Sequence, residues 1–289
     1  NSLLNQNNFE SALNIALYSL NEAKQKGNKN LVYECNDLIA TIFKKSNNFE
    51  KALDYYLQNI KIIENSNNPE IIAKVYYKIS EMYFELRELD HAERYMKKVI
   101  SLDDHSINYE SIKAMAFSGL SGLYVEKNEL EKAEIYAQKA LIIQKNHKEN
   151  SLIFNTLNSL GSIYLLKKEY PKAKKVYFEA LRILDSKGDD PKYLKVKEIL
   201  YDNLSYVLFM TKDYTAYTYQ EKSFNIRDSL RDNEISRILG EIEGKYNTEN
   251  IKKEAQLKTA EEVAKRKHTQ DINIILILVS TLLTLGIWT

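Results

Sequence analysis

The chain holds one cysteine, Cys35, so an internal disulfide is excluded. Cys35 falls among apolar residues on a predicted helix and reads as packing. Three prolines and eight glycines are too few for a turn-rich β protein and suit an all-helical one. Charge of one sign is also missing. Forty-one Lys and Arg stand against 40 Asp and Glu, a formal net charge of +1, which gives no field for nucleic acid. The four histidines, His91, His105, His147 and His268, lie far apart and form no pair with metal-ligand spacing. No phosphate loop, Gly-x-Gly-x-x-Gly run or Gly-x-Ser-x-Gly elbow occurs. The carboxylate pairs Asp103-Asp104 and Asp189-Asp190 fall between predicted helices, where capping is the expected role. No catalytic residue, metal site or cofactor is therefore expected.

What the chain has is a repeat. Phe/Leu/Tyr-x-x-Ala occurs at Phe9–Ala12, Phe49–Ala52, Leu89–Ala92, Leu130–Ala133 and Tyr170–Ala173, with a degraded copy from Tyr214. Successive copies start 40, 40, 41, 40 and 44 residues apart. A period in that range marks stacked supersecondary units. Upstream of each copy lies a second apolar set, such as Phe117, Leu120, Ser121 and Tyr124, or Leu157, Leu160, Gly161 and Tyr164. Those spacings place one face on a helix. A polar corner precedes each copy, and a second amphipathic helix follows it. Each unit is thus helix–turn–helix, with Ala52, Ala92, Ala133 and Ala173 where the second helix crosses the first. Ser80, Ser121, Gly161 and Ser205 take the matching place on the first helix. In the sixth copy Tyr217 stands where Ala is expected. Neither helix can bury its stripe alone, so neighbouring units must stack.

These residues resemble the tetratricopeptide repeat family. Its first-helix pattern matches at Phe117, Leu120, Ser121 and Tyr124, and its second-helix pattern at Tyr170, Ala173, Tyr177 and Ala180. The period of 40 exceeds the family's common length of about 34. The resemblance implies a right-handed α–α superhelix of five to six repeats over residues 1–222. It also implies that first helices line a concave groove. Groove positions counted from the matched residues are Tyr77, Phe84, Met115, Val125, Leu165, Tyr206 and Phe209, with Asp37, Thr41 and Lys44 as a polar first-unit set. A protein or peptide is the expected occupant.

Residues 223–270 read as a charged helical linker. Ile235, Leu239, Ile242 and Tyr246 follow a 4-3-4 spacing that would serve as a short coiled-coil seam for a homodimer over 223–268. A solvated single helix laced with ion pairs is the other reading. Residues 271–289 read as one transmembrane helix, cut short. Ile272 to Trp288 gives 17 uncharged residues, preceded by Lys265, Arg266, Lys267 and His268. The chain opens inside a unit and reads as a piece of a longer protein. The order of repeats, charged helix and span, with Glu243-Gly244-Lys245-Tyr246-Asn247-Thr248-Glu249 at the junction, resembles Bacteroidetes-type membrane signalling proteins. That resemblance implies a sensor in the bacterial inner membrane with periplasmic repeats. A histidine kinase or helix-turn-helix output module would follow the span. The alternative is a membrane-anchored scaffold that recruits partners without signalling.

Overall fold

The computed structural model describes the backbone of residues 6–63, 68–104, 106–147, 150–188 and 190–286; side chains are described over the same ranges except 6–8, 150, 151, 241, 245 and 268–286. Every regular element among the described residues is helical. In chain order they are α1 (Gln6–Gln25), α2 (Lys29–Lys45), α3 (Phe49–Ile63), α4 (Pro69–Glu85), α5 (Leu89–Ile100) and α6 (Ile107–Glu126). There follow α7 (Leu130–Asn146), α8 (Asn150–Leu166), α9 (Tyr170–Asp185), a 3-10 turn (Pro191–Tyr193), α10 (Leu194–Met210) and α11 (Ala216–Gly286).

Each helix packs on the one before and the one after it from α1 to α10, and first helices touch across units: α4 with α6, α6 with α8, α8 with α10. The result is a stack of hairpins, α2–α3, α4–α5, α6–α7 and α8–α9, opened by the lone second helix α1. Its crossings are made by small residues. Ala52, Ala92, Ala133 and Ala173 are buried, as are Ser80, Ser121 and Gly161 opposite them. A Cβ on Gly161 would lie 2.4 Å from Tyr177 Cε1, so glycine there admits the tyrosine ring.

The turn inside each hairpin, and the turn after α10, repeat a backbone device. Asn47, Arg87, Asn128, Lys168 and Lys212 all take positive φ, between 56° and 63°. At each, two hydrogen bonds close the preceding helix, as in Asn48 N–H to Phe43 O (2.9 Å) and Asn47 N–H to Lys44 O (3.1 Å). This is the Schellman pattern, which satisfies carbonyls that the helix end leaves open. First helices start differently. Asn28, Asn68 and Ser106 each accept a backbone N–H of the first turn, and Pro69 follows Asn68 at the first helical position. The loop before α6 is held by buried Tyr109, whose hydroxyl is within 2.9 Å of Val99 O and 2.7 Å of Leu102 O.

A polar staple joins consecutive units. Glu93 on α5 takes Tyr124 Oη (2.7 Å) on Oε1 and Lys127 Nζ (2.7 Å) on Oε2, both from the next unit, plus Lys97 Nζ (2.6 Å) from its own helix. Glu134 on α7 takes Tyr164 Oη (3.0 Å) and Lys167 Nζ (2.6 Å) in the same way. Burial raises the Glu93 carboxyl, but the hydrogen bonds from Lys127, Lys97 and Tyr124 together outweigh it and hold the group at about 2.

One detail departs from the sequence reading. In the sixth unit Ala216, 4% exposed, takes the close-approach position, while Tyr217 is 65% exposed. Asp213 is the cause: its Oδ1 accepts from Thr215 N and Oγ1, so the helix begins on Ala216 and the register moves by one residue. Buried Ser223 donates to Glu198 O (3.2 Å), and the first compact unit runs to Ile226.

The second compact unit starts at Arg227. Its helix carries i,i+3 ion pairs, Arg231–Asp228 (3.1 Å) and Arg237–Glu234 (2.6 Å). Ile235, Leu239, Ile242 and Tyr246 are exposed. Among the described residues no helix is long and apolar enough to cross a membrane. The expected span at 271–289 lies outside the residues whose side chains are described.

Candidate partner-binding groove

The expected groove residues fall into three environments. Tyr77 and Met115 line one cavity of about 310 Å³, together with Ser118, Gly119, Ala137, Gln144, Leu152, Asn155, Thr156 and Ser159. Tyr206 and Phe209 are 53% and 65% exposed and line a second hollow of about 330 Å³ with Asp202, Ser205, Ala216, Tyr217 and Gln220. Phe84, Val125 and Leu165 belong to neither. They are half-buried and pack on the large core cluster.

Register explains this division. Phe84, Val125, Leu165 and Phe209 are one position in four successive units, three residues before the positive-φ residue of each turn. In the inner units this side chain is half-buried against the large core cluster. After α10 no further complete hairpin follows among the described residues, so Phe209 stays open. Phe84, Val125 and Leu165 are half-buried, whereas Tyr206 and Phe209 are exposed.

The polar end is self-satisfied. Lys44 pairs with Glu81 (2.9 Å) and Asp37 with Lys78 (2.5 Å), each across from α2 to α4. Thr41 Oγ1 donates to the Asp37 carbonyl (2.8 Å). Burial, with Glu81 beside it, pushes the Tyr77 hydroxyl well above the usual tyrosine range, so it stays a neutral donor or acceptor. Lys44 and Asp37 steer little charge toward a ligand because each already has a counter-ion.

The cavity beside Tyr77 and Met115 has a definite origin in the sequence. Within the complete hairpins, residue 137 aligns with Tyr56, Met96 and Tyr177, all buried and large, and in the lone α1 it aligns with Ala16. Here it is alanine. Residue 144 aligns with Ile63 and Leu184 in the hairpins whose second helix reaches that far, with Ala23 in α1 and with Asp103 beyond the end of α5, and is here a glutamine. Truncation at 137 leaves the space, and Gln144 supplies a polar wall. Neither residue is on the first helices, which is why counting groove positions passed over them; aligning second helices would have found both. Among the described residues no group of three metal-ligating side chains occurs.

Residues 73–105, which cover most of the α4–α5 hairpin, match the family model for the tetratricopeptide repeat. No curated protein matches the chain. Solved structures share the fold at low identity. BtubC (BKLC) from P. vanneervenii superposes with a TM-score of 0.66 at 19% identity, covering 77% of this chain and 92% of that one. The Rap conjugation gene regulator of the plasmid pLS20, in complex with the Phr* peptide, gives 0.56 at 18% identity, over 73% of this chain and 57% of that one. A STAND protein with a tetratricopeptide repeat sensor from Pyrococcus horikoshii gives 0.65 at 17% identity, over 80% of this chain but 36% of that one.

Proposed function

We propose that this chain is the non-catalytic sensor region of a membrane-anchored bacterial signalling protein, and that its repeats bind a protein or peptide along their first helices. The observation that carries the binding half is unfilled apolar surface on those helices: the cavity at Tyr77 and Met115, and the open pair Tyr206 and Phe209. Exposed apolar groups in a concave setting suit an amphipathic or extended segment. The likeness to a repeat protein crystallised with a peptide, and to one whose repeats are described as a sensor, supports the same reading.

The signalling half rests on the order of parts. Residues 271–289 anchor the chain in the inner membrane, with the repeats periplasmic. The helix through 223–268 pairs with a second copy through Ile235, Leu239, Ile242 and Tyr246 and relays ligand binding to a kinase or DNA-binding module beyond the chain's last residue. Selection of peptides from a random display library on the immobilised chain tests the binding half. Selected peptides are expected to lose at least tenfold in affinity on Tyr206→Ser or Phe209→Ser. Peptides that bind both variants as well as the parent would place recognition elsewhere.

A further inference from the structure

The cavity between α4, α6, α7 and α8 is more than a gap in the groove. Gln144 is 1% exposed, and its Oε1 has no hydrogen-bond partner among the described residues. A buried acceptor left unpaired is costly, and its neighbours in the alignment, Ile63 and Leu184, avoid that cost. The remaining wall is a mixture: Met115, Leu152 and Ala137 are apolar, while Ser118 and Thr156 face each other with oxygens 3.4 Å apart. No lining residue is acidic. A cationic donor would enter without a counter-ion, which disfavours lysine and arginine.

Resting on the peptide-binding reading above, we propose that this cavity is a specificity pocket for one side chain of the partner: an apolar body with a single neutral N–H donor, the indole of tryptophan. The N–H donates to Gln144 Oε1, and the ring fills the space that alanine at 137 leaves open. A volume of about 310 Å³ is at the low end for ligand pockets and suits one large side chain rather than a whole small molecule. Indole is a donor and never an acceptor, so it pairs with a carbonyl oxygen without leaving an orphan of its own. At the aligned position the other complete hairpins carry the large buried residues Tyr56, Met96 or Tyr177. The partner's register along the stack would thus be fixed at the α6–α7 hairpin.

Two probes and two variants decide this. The full chain is labelled with ¹³C at the methionine methyls, and indole or 1-methylindole is titrated while the Met115 signal is followed. Indole is expected to move that signal saturably, and 1-methylindole, which lacks the N–H, to bind about tenfold more weakly. Gln144→Leu copies Leu184 and should make the two probes equal. Ala137→Met copies Met96, which reaches Gly119 of the following first helix; Ser159 is the aligned target, so the new side chain fills the cavity and neither probe binds. Unmoved Met82 signals show that each variant is folded. Equal binding of both probes to the parent, indole binding that survives Ala137→Met, or no movement of Met115 up to indole's solubility would each overturn the proposal. Peptides that respond to Phe209→Ser but not to Gln144→Leu would leave the groove reading standing and remove only this pocket.

Discussion

Replacing Glu93 by glutamine should uncouple two neighbouring units. The carboxylate is 17% exposed and collects three donors within 2.7 Å, two of them from the next hairpin. Glutamine keeps the size and one acceptor but loses both ion pairs. The carboxyl sits at about 2 against an ordinary value near 4.5, and each pKa unit is worth about 1.4 kcal/mol, which sets a ceiling of about 3 kcal/mol. Lys97 and Lys127 remain in contact with water, and screening reduces the expected loss to about 1–2 kcal/mol. The pH dependence fixes the cause. A group whose folded pKa is depressed contributes its stability above the unfolded value and loses it as pH falls through the folded one. The parent's advantage over Glu93→Gln should therefore be complete at pH 6, shrink between about pH 5 and pH 2, and vanish at the bottom of that window. Urea unfolding of both chains across this range, followed by hydrogen exchange of the α5–α6 contact, measures it. A loss below about 0.3 kcal/mol at pH 6, or a loss of constant size down to pH 2, would refute the staple.

Other perturbations test the packing directly. Gly161→Ser forces a Cβ to 2.4 Å from the Tyr177 ring and should cost about 1–3 kcal/mol. Pairing it with Tyr177→Ala rebuilds the Ser121–Ala137 combination of the adjacent unit, so a double-mutant cycle should show strong rescue. Lys168→Gly relieves a positive φ of 60°; the left-handed strain of about 1–2 kcal/mol outweighs glycine's extra chain entropy, and thermal unfolding should show a net gain of about 0.5–1 kcal/mol. Tyr109→Phe removes a hydroxyl close to two carbonyls and should cost about 1–2 kcal/mol in denaturant, with faster exchange at the α5–α6 loop.

The hairpins are legible because small residues recur where helices cross, with Ala52, Ala92, Ala133 and Ala173 spaced 40, 41 and 40 residues apart. The sixth unit was read one residue out of register. Its small residue, Ala216, was visible, but the side-chain cap from Asp213 that starts the helix there is a three-dimensional contact. The groove was harder. Phe84, Val125, Leu165 and Phe209 are equivalent in sequence, yet the first three are half-buried and Phe209 is exposed, a difference that their spacing does not carry. The cavity was legible in principle, through Ala137 and Gln144 breaking the pattern of their aligned neighbours. First-helix spacing alone does not show it, because the gap is opened by a second helix. The positive-φ turns gave no signal, since only two of five carry asparagine and none carries glycine.

Hydrogen exchange of the full chain with and without a display-selected peptide tests most directly whether the first helices are the binding surface. Slowed exchange is expected at 115–118 of α6, 155–159 of α8 and 205–209 of α10, with α3, α5 and α9 unchanged. Protection confined to the second helices, or to the helix beyond Arg227, would contradict it.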